Sequence, residues 1–398
     1  MTIASSLAFP DDRVSIEVPC ELTVSVVDSA ADFAAMREEW NRLLSSSRSD
    51  CIFLTWEWMH TWWTHFGEGR RLFLVTIRSG EELVAVAPLT LTRAWAGPFA
   101  IPVLEFAGTG AIGSDYLDFI VSAEYESAAL ETLIRFLAET GLSLRMPRVR
   151  RQSGLAVALA KQLVERGWES LEIQTDICPF IDLSVGSWEA YLGRLGPRHR
   201  YNFKRRLRNL ERDHTVRLHP VNNETGRGGA LKHLVDLHLR RWRNRGGSDA
   251  FHEPRLLAFH DDFSRLALER GWLRLTLLEI DGRTAGAFYG LRYGQVFHFY
   301  QSGIDPSLSR WSIGLVMLGL TIKSAIDEGA SEYDMLHGNE SYKFLWATQH
   351  HPLIRIELHP PGPMGRVHRN AARITTAAKK LAKRVLYAAS PSVVAPLE

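Results

Sequence analysis

The densest run of chemistry-bearing side chains in this sequence is Tyr333-Asp-Met-Leu-His337-Gly338-Asn-Glu340-Ser-Tyr342-Lys343-Phe-Leu-Trp346. A strand reads up to His337-Gly338, and an acid, a phenol and an amine follow within one helical turn. Ligands gather outside the carboxyl ends of strands in α/β sheets, and groups of these types can take or give a proton during a transfer reaction. The same residues also fit a solvated Lys343 and a packed Tyr342. Upstream, a strand ends at Tyr300-Gln301-Ser302-Gly303, a loop carries Asp305 and Arg310, and Ser312-Ile313-Gly314 opens a helix. A glycine in a first helical turn admits a close ligand, and the free N–H groups with the helix dipole favour an anion such as a pyrophosphate. A Ser-capped core helix is the plainer alternative. His298 lies on the same strand, where a lone histidine also fits a packed role. Neither G-x-G-x-x-G nor G-x-x-x-x-G-K-[ST] occurs, so a dinucleotide fold and a P-loop are unsupported.

Two segments concentrate positive charge. Residues 194–217 hold Arg194, Arg198, Arg200, Lys204, Arg205, Arg206, Arg208, Arg212 and Arg217 against Glu211 and Asp213. Such a helix suits phosphate on CoA, a nucleotide-linked precursor, a lipid headgroup or tRNA, or is a solvated face. No RNA-binding signature adjoins it, which disfavours nucleic acid without excluding tRNA. After Pro360-Pro-Gly-Pro363, the residues Val367, Ala371, Ile374, Ala378, Leu381 and Val385 recur at spacings of three and four among seven cations. This predicts a basic amphipathic helix over 364–390, suited through residues 366–386 to an anionic membrane surface, or docked on its own domain.

The elements that must position these residues fall into two similar halves. The first reads as helices over 29–44 and 55–66, strands over 71–78, 83–92, 103–106 and 116–121, and a helix over 125–140. The second reads as helices over 155–166, 187–195, 197–213, 230–245 and 254–270, with short strands near 168–173 and 180–183. It continues with strands over 272–280, 284–293 and 295–303, a helix over 313–328, a strand over 332–336, a short helix from Ser341 and a strand over 353–358. The hairpin turns Ser79-Gly80 and Asp281-Gly282 lie 202 residues apart in matching contexts, which points to an internal repeat. The predicted organisation is a loose leader over 1–20, domains over 21–152 and 153–360, and the basic helix.

The order of these motifs resembles the GNAT superfamily, and more closely the duplicated-GNAT proteins related to FemABX ligases and CelD-type exopolysaccharide acyltransferases. In the first half, Phe53-Leu-Thr-Trp56-Glu-Trp58, Trp62-Trp63 and Ser114-Asp115-Tyr116-Leu-Asp118-Phe119 carry the resemblance; in the second, the stretch from Tyr300 to Trp346 does. The usual pyrophosphate signature survives only as Arg310-x-x-x-Gly314. The resemblance implies two tandem GNAT-like α/β domains with mixed sheets, and transfer of an acyl group from a CoA thioester to an amine. It implies Tyr342 as the acid for the departing thiolate, and Glu340 or His337 as the proton acceptor. It further implies the backbone of Tyr300, Gln301 and Ser302 at the acyl carbonyl, and Arg310, Ser312, Ile313 and Gly314 at the pyrophosphate. His298 and Asp305 would be weaker alternatives as that proton acceptor, and Asp115, Arg200 and Lys343 would meet the acceptor or its phosphate, with His298 also on the substrate side.

Composition narrows the class. The 398 residues carry 47 basic and 45 acidic side chains and are 45% hydrophobic, the balance of a folded protein rather than a disordered chain. Residues 366–398 alone hold seven cations and one acid, so the rest is mildly acidic. Cys20, Cys51 and Cys178 form neither a disulfide framework nor a metal cluster, and no metal is expected. No signal peptide or membrane span is legible, which places the chain in the cytoplasm, with the tail able to hold it at the inner face of the membrane. The expected activity is acyl-CoA-dependent N-acylation of a cell-envelope precursor: an amino sugar, a polysaccharide precursor or a long-chain amino lipid. The alternatives are a FemABX-like, aminoacyl-tRNA-dependent ligase and a non-catalytic envelope-assembly factor.

Overall fold

The structure, a computed structural model, describes residues 21–96, 99–152, 154–242, 251, 253–362 and 365. The expected leader and, apart from Gly365, the expected basic helix after residue 363 lie outside these residues. The first half contains β1 (Leu22–Val27), α1 (Ala30–Ala35), α2 (Arg37–Ser45), α3 (Trp56–Phe66), β2 (Arg71–Ser79), β3 (Glu82–Ala96), β4 (Phe99–Phe106), β5 (Ile120–Val121), α4 (Glu126–Thr140), β6 (Ser143–Arg150), α5 (Leu155–Glu165) and β7 (Glu169–Asp182). The second contains α6 (Trp188–Arg194), α7 (Pro197–Asp213), β8 (Val216–Val221), α8 (Glu224–Trp242), α9 (Pro254–Glu269), β9 (Leu273–Ile280), β10 (Arg283–Tyr293), β11 (Val296–Ile304), α10 (Ile313–Asp327), β12 (Glu332–Asp334) and β13 (Gln349–His359).

The strands form one mixed sheet in the order β1-β2-β3-β4-β6-β13-β7-β12-β11-β10-β9-β8, with β5 on β3. Read from its two ends, the sheet repeats itself: three antiparallel pairings, one parallel pairing (β4/β6 and β11/β12), then an antiparallel strand. The halves exchange their last strands. β7 leaves the first half to pair with β12, and β13 returns to pair with β6, while β7 and β13 pair with each other along their length. The repeat suggested by the two turn glycines is therefore a repeat of topology. One element breaks it: where the first half has the eleven-residue α5, the second has only the 3-10 turn Lys343–Leu345.

Local chemistry explains both the elements anticipated and those missed. Ser29 and Thr55 cap α1 and α3 by accepting from the N–H groups of Asp32 and Trp58. The strand anticipated over 116–121 shrinks to Ile120–Val121, because Tyr116 takes a left-handed φ of 58° and the Asp118 carboxylate turns onto the N–H groups of Phe119, Leu155 and Ala156. The last two of these bonds cap α5. β6 was not anticipated: Arg145, Arg148, Arg150 and Pro147 hide a strand whose Leu144, Met146 and Val149 are buried. β8 was also missed, and its Pro220 is tolerated at the sheet edge, where no ladder partner needs its N–H. The two short strands expected near 168–183 are one continuous β7.

The halves are joined on one face by α3 against α9. Trp58 packs edge-on against Phe259 and Phe263, with ring centroids 5.0 and 4.6 Å away. Glu57, fully buried beside it, accepts from Arg37 at 3.0 Å, Asn41 at 2.9 Å and Arg270 of the second half at 2.7 Å. Burial alone would raise its pKa, but these donors hold it below the ordinary value of 4.5. A depressed folded-state pKa stabilises the protein above pH 4.5, and the contribution disappears as pH falls below that value. Glu57→Gln is expected to cost about 1.5–3 kcal/mol at neutral pH and to flatten the acid limb of a melting-temperature profile. An unchanged acid limb would reject this assignment.

Candidate active site

β11 and β12 pair only from Val296/Glu332 to His298/Asp334 and then part. Opposite β10, β11 carries one extra residue, Tyr300, between Phe299 and Gln301, a bulge that re-aims the strand at its opening. The parted strands border a cavity of about 220 Å³. Its walls are Phe299, Tyr300 and Gln301 from β11, Met335 to His337 after β12, Glu340, Tyr342 and Lys343, together with Phe251, Leu256 and His260, and Ala111 and Gly113 from the first half. The site is thus built by both halves.

Its central feature is a pair that spans the chain. The Asp115 carboxylate, fully buried, accepts through Oδ2 from the backbone N–H of His337 at 2.9 Å and lies 2.9 Å from His337 Nδ1. Cys178 Sγ donates to the same oxygen at 3.6 Å, and Arg148 Nη1 stands 3.5 Å from Oδ1. Desolvation pushes the pKa of Asp115 up, but His337 and Arg148 outweigh it and leave it below the usual carboxylate value. An ionised carboxylate only accepts, so Nδ1 must be the donor and Nε2 keeps the free lone pair. The ring has room because residue 113 is glycine: a Cβ there would lie 3.2 Å from His337 Cε1. Asp115 therefore orients His337 and does not itself reach an acceptor, contrary to the expectation from sequence.

The turn that presents His337 is tied from below. Leu336 and Gly338 have φ of +53° and +132°. Lys343, 4% exposed, donates to the carbonyls of Leu336 at 3.1 Å and His337 at 2.8 Å and pairs with Glu340 at 3.1 Å. Its ammonium is thereby committed to the turn, which replaces the expected contact with the acceptor. Glu340 and Tyr342 reach the cavity from the other side. The Tyr342 phenol is raised above its ordinary pKa by desolvation and by the Glu340 carboxylate, so it stays protonated at neutral pH.

The remaining expected residues divide. Tyr300 donates its hydroxyl to the Ile112 carbonyl and lies 3.3 Å from His260 Nε2, clamping the halves across the cavity. The Gln301 side chain accepts from the N–H of Ser302, so that donor is occupied. Ser312, Ile313 and Gly314 do open α10, with Ser312 left-handed at φ 54°. They stand beside Ile304, about 10 Å along β11 from Gln301, outside the cavity wall. The first turn of α10 holds no acid, and Arg206 of α7 donates to the carbonyl of exposed Arg310 just before it, so the surroundings suit an anion. Asp305 is spent on Ser307. His298 is buried edge-on to Phe53, 3.9 Å from Asp334 and away from the cavity, and burial lowers its pKa to about 4. Arg200 donates to the carbonyls of Leu192 and Gly193 at the end of α6, also away from the cavity.

Sequence reasoning missed His260. It is 3% exposed, lies among Phe251, Phe259, Tyr289 and Tyr300, and burial lowers its pKa to about 3. It sits inside an apolar helix pattern, which gave no signal of a cavity. Among the described residues no cluster of His, Cys, Asp and Glu is arranged to hold a metal ion, and no helix is long and apolar enough to cross a membrane.

Residues 197–344 match the family model described as an acetyltransferase (GNAT) domain. The fold is that of FemX, with a TM-score of 0.58 at 12% identity over 81% of this chain and 95% of that one. The similarity to the GNAT family is thus carried by residues 197–344. A conserved protein of unknown function from Bacteroides thetaiotaomicron also shares the fold, with a TM-score of 0.51 at 13% identity over 85% of this chain and all of the other. No curated protein matches the sequence. The match covers nearly the whole of FemX, so the likeness in fold extends over both halves of the repeated sheet.

Proposed function

We propose that this GNAT protein is an N-acyltransferase that moves an acyl group from a CoA thioester to the amine of a cell-envelope precursor, such as an amino sugar, a polysaccharide precursor or a long-chain amino lipid. His337, paired with Asp115, and Tyr342 line the same cavity, and this carries the reading. His337 Nε2 takes a proton from the acceptor amine, whose lone pair forms the new C–N bond. The tetrahedral oxyanion then collapses, the C–S bond breaks, and Tyr342 protonates the departing thiolate. The proton held on His337 returns to Tyr342 through solvent. The thioester would lie along the parted edge of β11, with its pyrophosphate at the first turn of α10.

The donor assignment has a direct test. Mass spectrometry after mild denaturation should find CoA species carried through purification. Gly314→Arg should abolish binding of labelled acyl-CoA by filling that turn, since a Cβ at Gly314 already meets Ile304 Cδ1 at 2.7 Å. Equal binding by wild type and variant would reject the donor site. The similarity to FemX and the basic α7 favour a second reading, a ligase that takes its acyl group from aminoacyl-tRNA. Loss of activity after ribonuclease treatment would select it.

A further inference from the structure

We infer that the face formed by α7 and the turn Tyr342–Leu345 docks on an anionic phospholipid bilayer. Five large hydrophobic side chains are exposed among the described residues, and four of them belong here: Tyr201 at 63%, Leu345 at 53%, Phe344 at 40% and Tyr342 at 37%. Tyr342, Phe344 and Leu345 share one turn, which is fastened to the start of α7, and Tyr201 stands on the exposed side of that helix. Trp346 packs against His199 and Phe203, with ring centroids 4.6 and 5.5 Å away, and Tyr191 donates to its carbonyl at 2.9 Å.

Cations predominate on the exposed side of α7, where Arg212 is paired with Asp213. Arg198, Tyr201, Lys204, Arg205, Arg208 and Arg212 are exposed at spacings that place them along one stripe of α7, opposite the buried Phe203 and Leu210. An apolar tip beside a cationic stripe is the composition of an element that inserts shallowly while its cations meet anionic headgroups. RNA would satisfy the cations, but an exposed leucine has no base-stacking role to play. The chain's own basic tail would be repelled by the stripe, and its seven cations favour the same anionic surface. Tyr342 borders the patch and lines the cavity, so docking would bring the cavity mouth to the lipid headgroups. This inference goes beyond the acyl donor's identity and fails independently of it.

The test is flotation of the full-length protein with phosphatidylcholine vesicles, with and without phosphatidylglycerol. Wild type should float only with the anionic vesicles, and added salt should weaken binding. Phe344→Asp/Leu345→Asp changes exposed positions and should leave the fold intact by circular dichroism, while weakening anionic-vesicle binding about tenfold or more. Lys204→Gln/Arg205→Gln/Arg208→Gln should weaken binding and reduce its salt dependence. Absence of wild-type binding would overturn the inference, and so would equal binding by the aspartate variant, which would leave the tail as the sole anchor. Loss of affinity for total tRNA in the glutamine variant, with vesicle binding unchanged, would assign the face to RNA instead.

Discussion

Asp115→Asn is expected to lower kcat for acyl transfer by about 10²–10⁴-fold, the range that a positioned acid or base contributes, with little change in KM. Asparagine preserves volume, so the fold should persist. It cannot hold the ring as the carboxylate does. An amide N–H turned toward Nδ1 makes that nitrogen an acceptor and moves the ring proton to Nε2, removing the lone pair that would receive the amine proton. His337→Ala should cost a similar factor, and the two losses should not multiply, because both variants disable one device. Steady-state kinetics of the two single variants and the double variant decide the matter. A kcat within about threefold of wild type for Asp115→Asn would remove the pair from the mechanism.

The second large effect lies beneath that pair. Lys343→Met keeps a similar buried volume but leaves the carbonyls of Leu336 and His337 without their donor. Each unsatisfied buried acceptor costs about 1–3 kcal/mol, so a loss of about 2–4 kcal/mol is expected in urea denaturation. The left-handed turn at Leu336 and Gly338 should relax with it, carrying His337 away from Asp115, and kcat should fall about 10–100-fold as for other supporting contacts. Lys343→Arg would recover part of the stability by donating to the same carbonyls. Wild-type stability of Lys343→Met would refute this account of the turn.

Much of the fold was legible because its signals are local. The hairpin turns at Gly80 and Gly282, the capping residues Ser29 and Thr55, and the aromatic periodicity of α3 each declare an element within a dozen residues. Two of the missed or misjudged strands depend on distant partners, β6 between β4 and β13 and β7 between β13 and β12, while the unanticipated β1 and β8 are the two edges of the sheet. The site divides in the same way. His337, Glu340, Tyr342 and Lys343 stand out by density along the chain. Asp115 was named through its Ser-Asp-Tyr motif and assigned to an acceptor, because nothing near residue 115 shows that the backbone and ring of residue 337 will engage its carboxylate. Lys343 and Arg200 were read as binding groups from the family resemblance, whereas their donors are spent on nearby carbonyls that only the folded turns create. His260 gave no signal, since its neighbours read as the apolar face of a helix.

The exchanged strands also set an order on biosynthesis. β6 cannot gain its second neighbour until β13 exists, and Gln349 lies 199 residues beyond Arg150. At a synthesis rate of about 5–20 residues per second, the first half waits about 10–40 seconds with that edge open on a nascent chain. Open edges invite pairing with other chains unless charge or proline blunts them. β6 carries Arg145, Arg148, Arg150 and Pro147, the very composition that disguised it as a non-strand. Those residues would blunt the open edge until β13 arrives and pairs Glu357 with Arg145 and Leu353 with Arg150.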